Sequence, residues 1–380
     1  MPLPLAGLRV LELAGVLAGP SVGQFCAELG ADVIKVENAA AGGDVTRRWK
    51  LPEEDPEADR SAYFAAVNWG KRAVALDLRD PGGRATLHAL AADADVAITA
   101  YKPGDAKALG ADAETLRALN PRLIVLRLVG YGEDDTRPGY DAVIQAEAGF
   151  THMNGDAAGP PTKLPVALMD VLAGHHLKEG LLLALLRRER TGEGGTVTVS
   201  LFGAAVASLA NQAANYLTAG HVPGRTGSDH PNIAPYGTPF ETASGAVVLA
   251  VGTDAQFRAL CEALGLPTLP DAPAFRTNQQ RVRNRPFLHA LLADAIRTWE
   301  RDALLTALAE RNVPAGAVRD LRAVFRQREA QVLVLRDEAT GLAAVRTVAF
   351  TLDGAAPPPL APPPPYDPAA RAAWEAIPQE

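Results

Sequence analysis

Cysteine is nearly missing from this sequence. Its two thiols, Cys26 and Cys261, stand far apart and form no CxxC or CxxxC spacing. That excludes a disulfide scaffold and a thiolate metal site, and both read as buried thiols of a reducing compartment. No HExxH pattern occurs. His175 and His176 have no neighbouring ligand cluster, and His152 and His230 fall in loops, so no metal is expected. Long apolar runs are also missing. The most apolar stretch, 177–186, contains Lys178 and Glu179 and is too short for a bilayer. The start, MPLPLAGLRVLEL, has no basic segment followed by a long apolar one, so it is not a signal peptide and the cytoplasm is the expected location. No long basic run exists, and the formal net charge is -7, which argues against nucleic acid as a partner.

What is present is ordinary globular material. The 380 residues are 48% hydrophobic and 21% charged, enough for a large core and more than one domain. Residues 8–13 predict a buried strand, 20–29 a helix and 33–36 a second strand, a β-α-β unit with a parallel sheet. Glu37 ends that second strand, where a dinucleotide-binding protein often has an acid. Gly15, Gly19 and Gly23 are four apart, however, and do not make G-x-G-x-x-G. They read as sites of close helix–strand packing, not as a nicotinamide fingerprint. Strands at 73–78, 96–100 and 123–129 alternate with helices at 82–92 and 113–119, which predicts a doubly wound, Rossmann-like α/β domain. A strand at 196–200 and a helix through Tyr216 complete it.

The stretch 220–239, GHVPGRTGSDHPNIAPYGTP, has the composition of a linker. Beyond it, a strand at 246–251, helices at 254–264, 284–298 and 302–311, and a strand at 315–318 predict a smaller α+β domain. The domain plan is therefore 1–220 large, 221–239 linker, 240–328 small, and 329–380 a return segment with a Pro-rich tail. Strands are predicted at 332–336 and 344–350. The tail from Ala355 is expected to run extended over the surface, outside any core.

The chain's most informative stretch is Pro165 to Gly174, PVALMDVLAG. Asp170 ends a short apolar run, and a helical pattern follows. Locally, two readings stand side by side. Asp is favoured just before a helix, where its oxygen accepts free backbone N–H groups. A carboxylate at a strand-to-helix junction in apolar surroundings is also a candidate nucleophile or base.

Several stretches together resemble the family III CoA transferases, the group of formyl-CoA transferase, carnitine CoA-transferases and α-methylacyl-CoA racemases. They are LAGPSVGQFCAELGADVIKVE (17–37), GGDVTRRW (42–49), YFAAVNWGKRAVALDL (63–78), NPRLIVLRLVGYG (120–132), PGYDAVIQAEAGF (138–150), Asp170, ALLRRERTGEGGTVTVSL (184–201) and HPNIAPYGTPF (230–240). Each alone is weak; in order, over residues 5 to 330, they are specific as a set. The resemblance implies that Asp170 attacks an acyl-CoA thioester, passing through a mixed anhydride and an aspartyl-CoA thioester before a carboxylic acid accepts the CoA. A carboxylate of pKa ~4 would need no activation for this, and backbone N–H groups at a glycine loop or helix start would stabilise the oxyanions.

The same resemblance implies that Gln24 lies near the acyl group and that Tyr63 and Tyr131 line the pocket. Arg47, Lys71 and Arg72 fall in blocks near the CoA phosphates. CoA would be a substrate, with no permanently bound cofactor, and the family's interlocked homodimer is expected. The departures are informative. In KPGDAKALG, Lys102 replaces an arginine and Ala108 stands where a CoA-contacting arginine would be, with Lys107 one position away. Val129 replaces a lysine of formyl-CoA transferase, and that enzyme's tetraglycine loop is missing, which disfavours oxalate and formate. The racemases have Gly-His-Asp where this chain has Gly139-Tyr140-Asp141. Racemisation needs an acid/base group on each face, and an ordinary tyrosine, pKa ~10, is a poor base. Transfer is therefore expected over racemisation, the alternative, and Asp141 is expected to do no more than cap the helix after it.

Overall fold

A computed structural model describes residues 3–371, 373 and 374. The chain divides into two compact units, one from the described residues of Met1–Ala148, Pro165–Ala210 and Glu329–Glu380, the other from Gly149–Leu164 and Asn211–Arg328.

The first unit is built on six parallel strands: β1 (Arg9–Leu13), β2 (Asp32–Asn38), β3 (Arg72–Leu76), β4 (Val96–Thr99), β5 (Ile124–Val129) and β6 (Gly195–Ser200). Their order is 3-2-1-4-5-6. Neighbours are all parallel, so each crossover lays a helix on a face and both faces are covered. One face buries Leu11, Leu13, Ile34, Val36, Ala97 and Val125 against Leu87 and Leu90 of the Pro81–Ala92 helix and Leu116 of the Ala113–Leu119 helix. The Ala18–Glu28 and Leu168–Thr191 helices pack together and onto the strands. The spacing of Gly19 and Gly23 serves close packing, as the sequence predicts. A Cβ on Gly19 would strike that of Ala14, and one on Gly23 would strike the Glu12 carboxylate.

Glu12 explains why that approach is so tight. It is wholly buried in the middle of β1, register partner of Lys35 on β2. Its two oxygens take Lys35 Nζ at 3.0 Å and Lys71 Nζ at 2.7 Å. Lys35 also reaches Asp44 at 3.0 Å. The Asp44 backbone N–H donates to Glu37, which receives Arg47 through Nε at 2.8 Å and Nη2 at 2.5 Å. Three acids and three cations thus share one buried, charge-balanced cluster. Buried ions are tolerated only when each is paired and hydrogen-bonded. Burial pushes Lys71 down to about 8 even with Glu12 raising it. Lys35 is also penalised by burial, but Glu12, Asp44 and Glu37 together hold it above the ordinary lysine value.

The return segment closes the unit through another buried acid. Glu28 accepts the Thr347 backbone N–H at 2.7 Å and its hydroxyl at 3.0 Å, and the Val348 N–H at 3.2 Å. The hairpin here is short, β10 (Val334–Arg336) with β11 (Ala343–Val345), and the strand expected to reach 350 stops at Val345. The Pro-rich tail is more than a surface ribbon. Pro363 and Pro364 are buried, Gly70 N–H donates to Ala361, and Arg60 and Arg47 donate to the carbonyls of Pro363 and Pro364. Proline lacks an N–H but keeps its carbonyl, so such a segment docks as an acceptor.

The second unit contains the antiparallel sheet β7 (Tyr236–Thr242), β8 (Gly245–Ala250) and β9 (Ala315–Ala317). Phe240, Val247 and Leu249 meet Phe257, Leu260, Leu288, Leu292 and Leu304 of its helices in one core. β7 lies largely in the stretch read as a linker. Gly237 and Pro239 disguised it, and the register shifts between Tyr236 and Pro239, where such residues are tolerated. Residues 149–164, expected in the large domain, also belong to this unit, where Gly227 N–H donates to the Gly155 carbonyl. Among the described residues no helix is long and apolar enough to cross a membrane.

Glu12→Gln leaves two buried lysines facing one neutral amide. It should destabilise the protein by about 3–5 kcal/mol, read as a lower urea midpoint at constant slope. An unchanged midpoint would show that the cluster contributes nothing to stability.

Candidate active site

In an open parallel sheet the loops at the carboxyl ends part where the strand order reverses, leaving a crevice. Here the reversal falls between β1 and β4. A cavity of about 390 Å³ sits there, walled by Gly15, Val16 and Leu17 after β1, Tyr101 and Lys102 after β4, Gly130 after β5, and Arg137 to Asp141. Asp170 is in its wall. Val16 is a β-branched residue at φ 69°, a conformation that L residues with branched side chains seldom adopt. Such strain is held only where the surroundings impose it, and it is common at functional sites.

Asp170 is neither at the helix cap nor before the helix. It is the third residue of Leu168–Thr191, whose cap residue Ala167 makes no side-chain bond. One turn further on, Gly174 lets the helix approach the first one: a Cβ there would lie 2.5 Å from Ser21 Oγ. Burial, and secondarily the negative charge of Asp141, push the Asp170 carboxyl up to about 7. Among the described residues no donor bonds to this carboxylate.

Asp141 departs from its expected role. It is the first residue of the Asp141–Glu147 helix, but its Oδ1 accepts the backbone N–H of Met169 at 2.8 Å. It therefore caps the helix that bears Asp170, not its own. Its Oδ2 accepts from Nε2 of buried Gln145 at 2.7 Å. The Met169 amide, a candidate oxyanion donor, is thereby occupied.

The other predicted residues scatter. Lys102 lines the cavity, exposed, just before the Pro103–Ala108 helix. Tyr63 is half-buried, edge-on to Trp49 at 5.1 Å. Burial first, then the charges of Asp170 and Asp141, raise its phenol above the usual value. Tyr131 is outside the wall, with the Arg137 guanidinium 3.7 Å over its ring and its hydroxyl on Glu147. Gln24 is fully buried, with both ends of its amide engaged: Nε2 donates to Glu28 at 3.1 Å, and Oε1 accepts the Trp69 N–H at 3.1 Å.

Three of the cations expected near the CoA phosphates are paired with acids. Arg47 is locked on Glu37 with Phe64 3.8 Å beneath it, and Lys71 is spent on Glu12, Pro20 and Asn68. Arg72 holds Asp32 at 2.6 Å and the Ala373 carbonyl. Lys107 is exposed and borders a separate cleft with Arg127 and Glu133. Sequence reasoning undervalued Asp141 and missed Val16. The available signal for the first was a second acid in PGYDAVIQ; the second has none, since valine disfavours that backbone. Among the described residues no cluster of three or more His, Cys, Asp or Glu gathers as a metal site.

Residues 5–367 match CoA-transferase family III. A succinate–glutarate CoA-transferase of Agrobacterium fabrum is 40% identical over 357 residues, which is 90% of this chain and 88% of that one. A succinyl-CoA:glutarate CoA-transferase of Homo sapiens is 34% identical over 369 residues, 94% of this chain and 83% of that one. The crystal structure of a CAIB/BAIF family protein from Brucella suis is similar with a TM-score of 0.82 at 38% identity, covering 97% of this chain and 96% of its own.

A carboxyl raised from its ordinary value to about 7 makes the folded state hold a proton that the unfolded chain releases. Between about pH 4 and 7 that erodes stability as pH rises, and the loss is complete above 7. Asp170→Asn should therefore raise the melting temperature, with a gap that widens from pH 4 to pH 8. An equal gap at both pH values would show that the carboxyl titrates normally.

Proposed function

The chain belongs to CoA-transferase family III, and from that premise we propose that it moves coenzyme A from an acyl-CoA to a free carboxylic acid with Asp170 as the nucleophile. One observation supports this reading above the others: Asp170 is a half-buried carboxyl with no described donor, in the wall of the switch-point cavity. A carboxylate that is partly desolvated and lacks a protein hydrogen-bond donor is more basic and more nucleophilic than one in solution.

The steps balance without a redox partner. An Asp170 oxygen attacks the thioester carbonyl, the C–S bond breaks, and CoA leaves as thiolate. The resulting mixed anhydride is then attacked by that thiolate at the Asp170 carbonyl. The original acid leaves as a carboxylate, and an aspartyl-CoA thioester remains. The acceptor carboxylate attacks this thioester, forming a second anhydride and thiolate, and thiolate attack on the acceptor carbonyl restores Asp170. In this scheme Lys102 offers a cation to the CoA phosphates at the cavity edge. Short dicarboxylic acids are the proposed donor and acceptor class, because the relatives are named for succinate and glutarate. The working form is proposed to be a homodimer in a reducing compartment such as the cytoplasm, as the family resemblance implies.

A raised carboxyl also suits α-proton abstraction, so the racemase reading keeps one observation in its favour. Against it stands Tyr140, 64% exposed, where the second base would be needed. With succinyl-CoA and glutarate, Asp170→Ala should lose activity by on the order of 10^4-fold or more, and mass spectrometry of wild type with succinyl-CoA alone should find CoA or the acyl group on Asp170. Full exchange by Asp170→Ala would overturn the nucleophile. α-Deuteration of a 2-methylacyl-CoA in deuterated water, with no acceptor acid present, would overturn transfer in favour of racemisation.

A further inference from the structure

Two acids lie side by side at the cavity, and only one has a place in the scheme above. We propose that Asp141 is a positioning residue for acyl transfer: it clamps the start of the helix that bears Asp170 and sets a fixed negative charge against that nucleophile. The inference rests on the reading of Asp170 as the nucleophile.

The geometry is a chain of three links. Gln145 is buried, and its Nε2 holds Asp141 Oδ2 at 2.7 Å and reaches the Val166 carbonyl at 3.3 Å. Asp141 Oδ1 takes the N–H of Met169 at 2.8 Å. Met169 is buried and is the residue before Asp170. The clamp therefore fixes the backbone from which the nucleophile projects, where a misplacement of about 1 Å costs on the order of 10^2 in rate. An anionic carboxylate with both oxygens accepting is the form that fits these donors.

The charge has a chemical use. Asp170 enters the reaction as an anion and becomes neutral when acylated, as anhydride or thioester. A neighbouring anion repels the carboxylate and not the acyl derivative. It thus raises the free energy of the starting state relative to the covalent intermediates, and only such differential interactions accelerate a step. The raised Asp170 carboxyl, with Asp141 second to burial among its causes, agrees with this arrangement. The other charged or titratable groups around Asp170 are Tyr63, which feels both acids, and Tyr101, Lys102, Asp135, Arg137 and Tyr140 in the cavity wall. Gly15, Val16 and Leu17 contribute none.

Asp141→Asn removes the charge and keeps an amide oxygen for the Met169 N–H, but turns an NH2 toward the Gln145 donor, so the pH midpoint and not kcat reads the charge. In the full-length enzyme the pH midpoint of kcat/KM should fall by about one unit, and the midpoint of the Asp170 carboxyl carbon, followed by NMR with 13C-labelled aspartate, should fall with it. Gln145→Leu keeps the charge and loosens the clamp: kcat should drop at least about tenfold while the midpoint and the KM for acyl-CoA hold. An unmoved midpoint in folded Asp141→Asn, by rate and by NMR, overturns the role of the charge. Full kcat in Gln145→Leu overturns the clamp. If Asp141→Asn does not fold, Asp141→Glu decides, because it keeps the charge and displaces the oxygen; an unchanged kcat then overturns the proposal. An inactive Asp170→Ala beside an unmoved Asp141→Asn sinks only this inference, whereas an active Asp170→Ala sinks the nucleophile as well.

Discussion

A carboxylate in the middle of a buried parallel strand demands cations, and Glu12 obtains two. Lys35 comes from the adjacent strand and Lys71 from the approach to the next. Lys35 then draws in Asp44, whose backbone is held by Glu37, whose carboxylate holds Arg47. The cluster therefore joins β1, β2, the 44–47 turn and the chain entering β3 into one body. It also sets the helix above it, because only a glycine at 23 leaves room for the Glu12 oxygen. Replacing such a cluster with apolar residues is often harmless to stability, but removing one member is not. What it specifies is which elements meet and in what register.

That cluster reaches the cavity floor. A Cβ on Gly15 would sit 3.4 Å from Asp44 Oδ2, so the first loop of the cavity rests directly on the buried charges. The opposite wall is positioned by the long helix of Asp170, which is set at two points: Gly174 against Ser21 in the first helix, and the Met169 amide against Asp141. The candidate nucleophile is thus carried on packed elements, with rigid supports on either side, which is how a reacting group is kept within a few tenths of an ångström of its working position.

The environment of Asp170 joins two opposed needs. Attack on a thioester requires an anion, and burial beside another acid disfavours that anion. The conflict resolves along the reaction, because the acylated aspartate is neutral and the cost of desolvation vanishes as the bond forms. An aspartate titrating near its ordinary value would be ionised at neutral pH without help, and the sequence suggests nothing else. The carboxyl at about 7 follows from packing density around it and from Asp141, both invisible in PVALMDVLAG.

Much of the architecture was legible in the chain itself. Short, mostly apolar runs between helical periods predicted all six strands of the parallel sheet, because strands covered on both faces are rich in apolar residues. The spacing of Gly19 and Gly23 marked the close approach to β1. Ordered motifs located Asp170. β7 escaped, because glycine and proline at a register shift imitate a loop. Tertiary structure decided where each charge goes. Arg47, Lys71 and Arg72 look like surface cations available to phosphates, and each is instead committed to an acid: Glu37, Glu12 and Asp32. Asp141 looks like a cap for its own helix and caps another. The physical reason is common to these cases. Hydrophobic periodicity is a local property that neighbours along the chain reveal, whereas the partner, burial and ionisation of a charged group depend on residues tens of positions away that only folding brings within 3 Å.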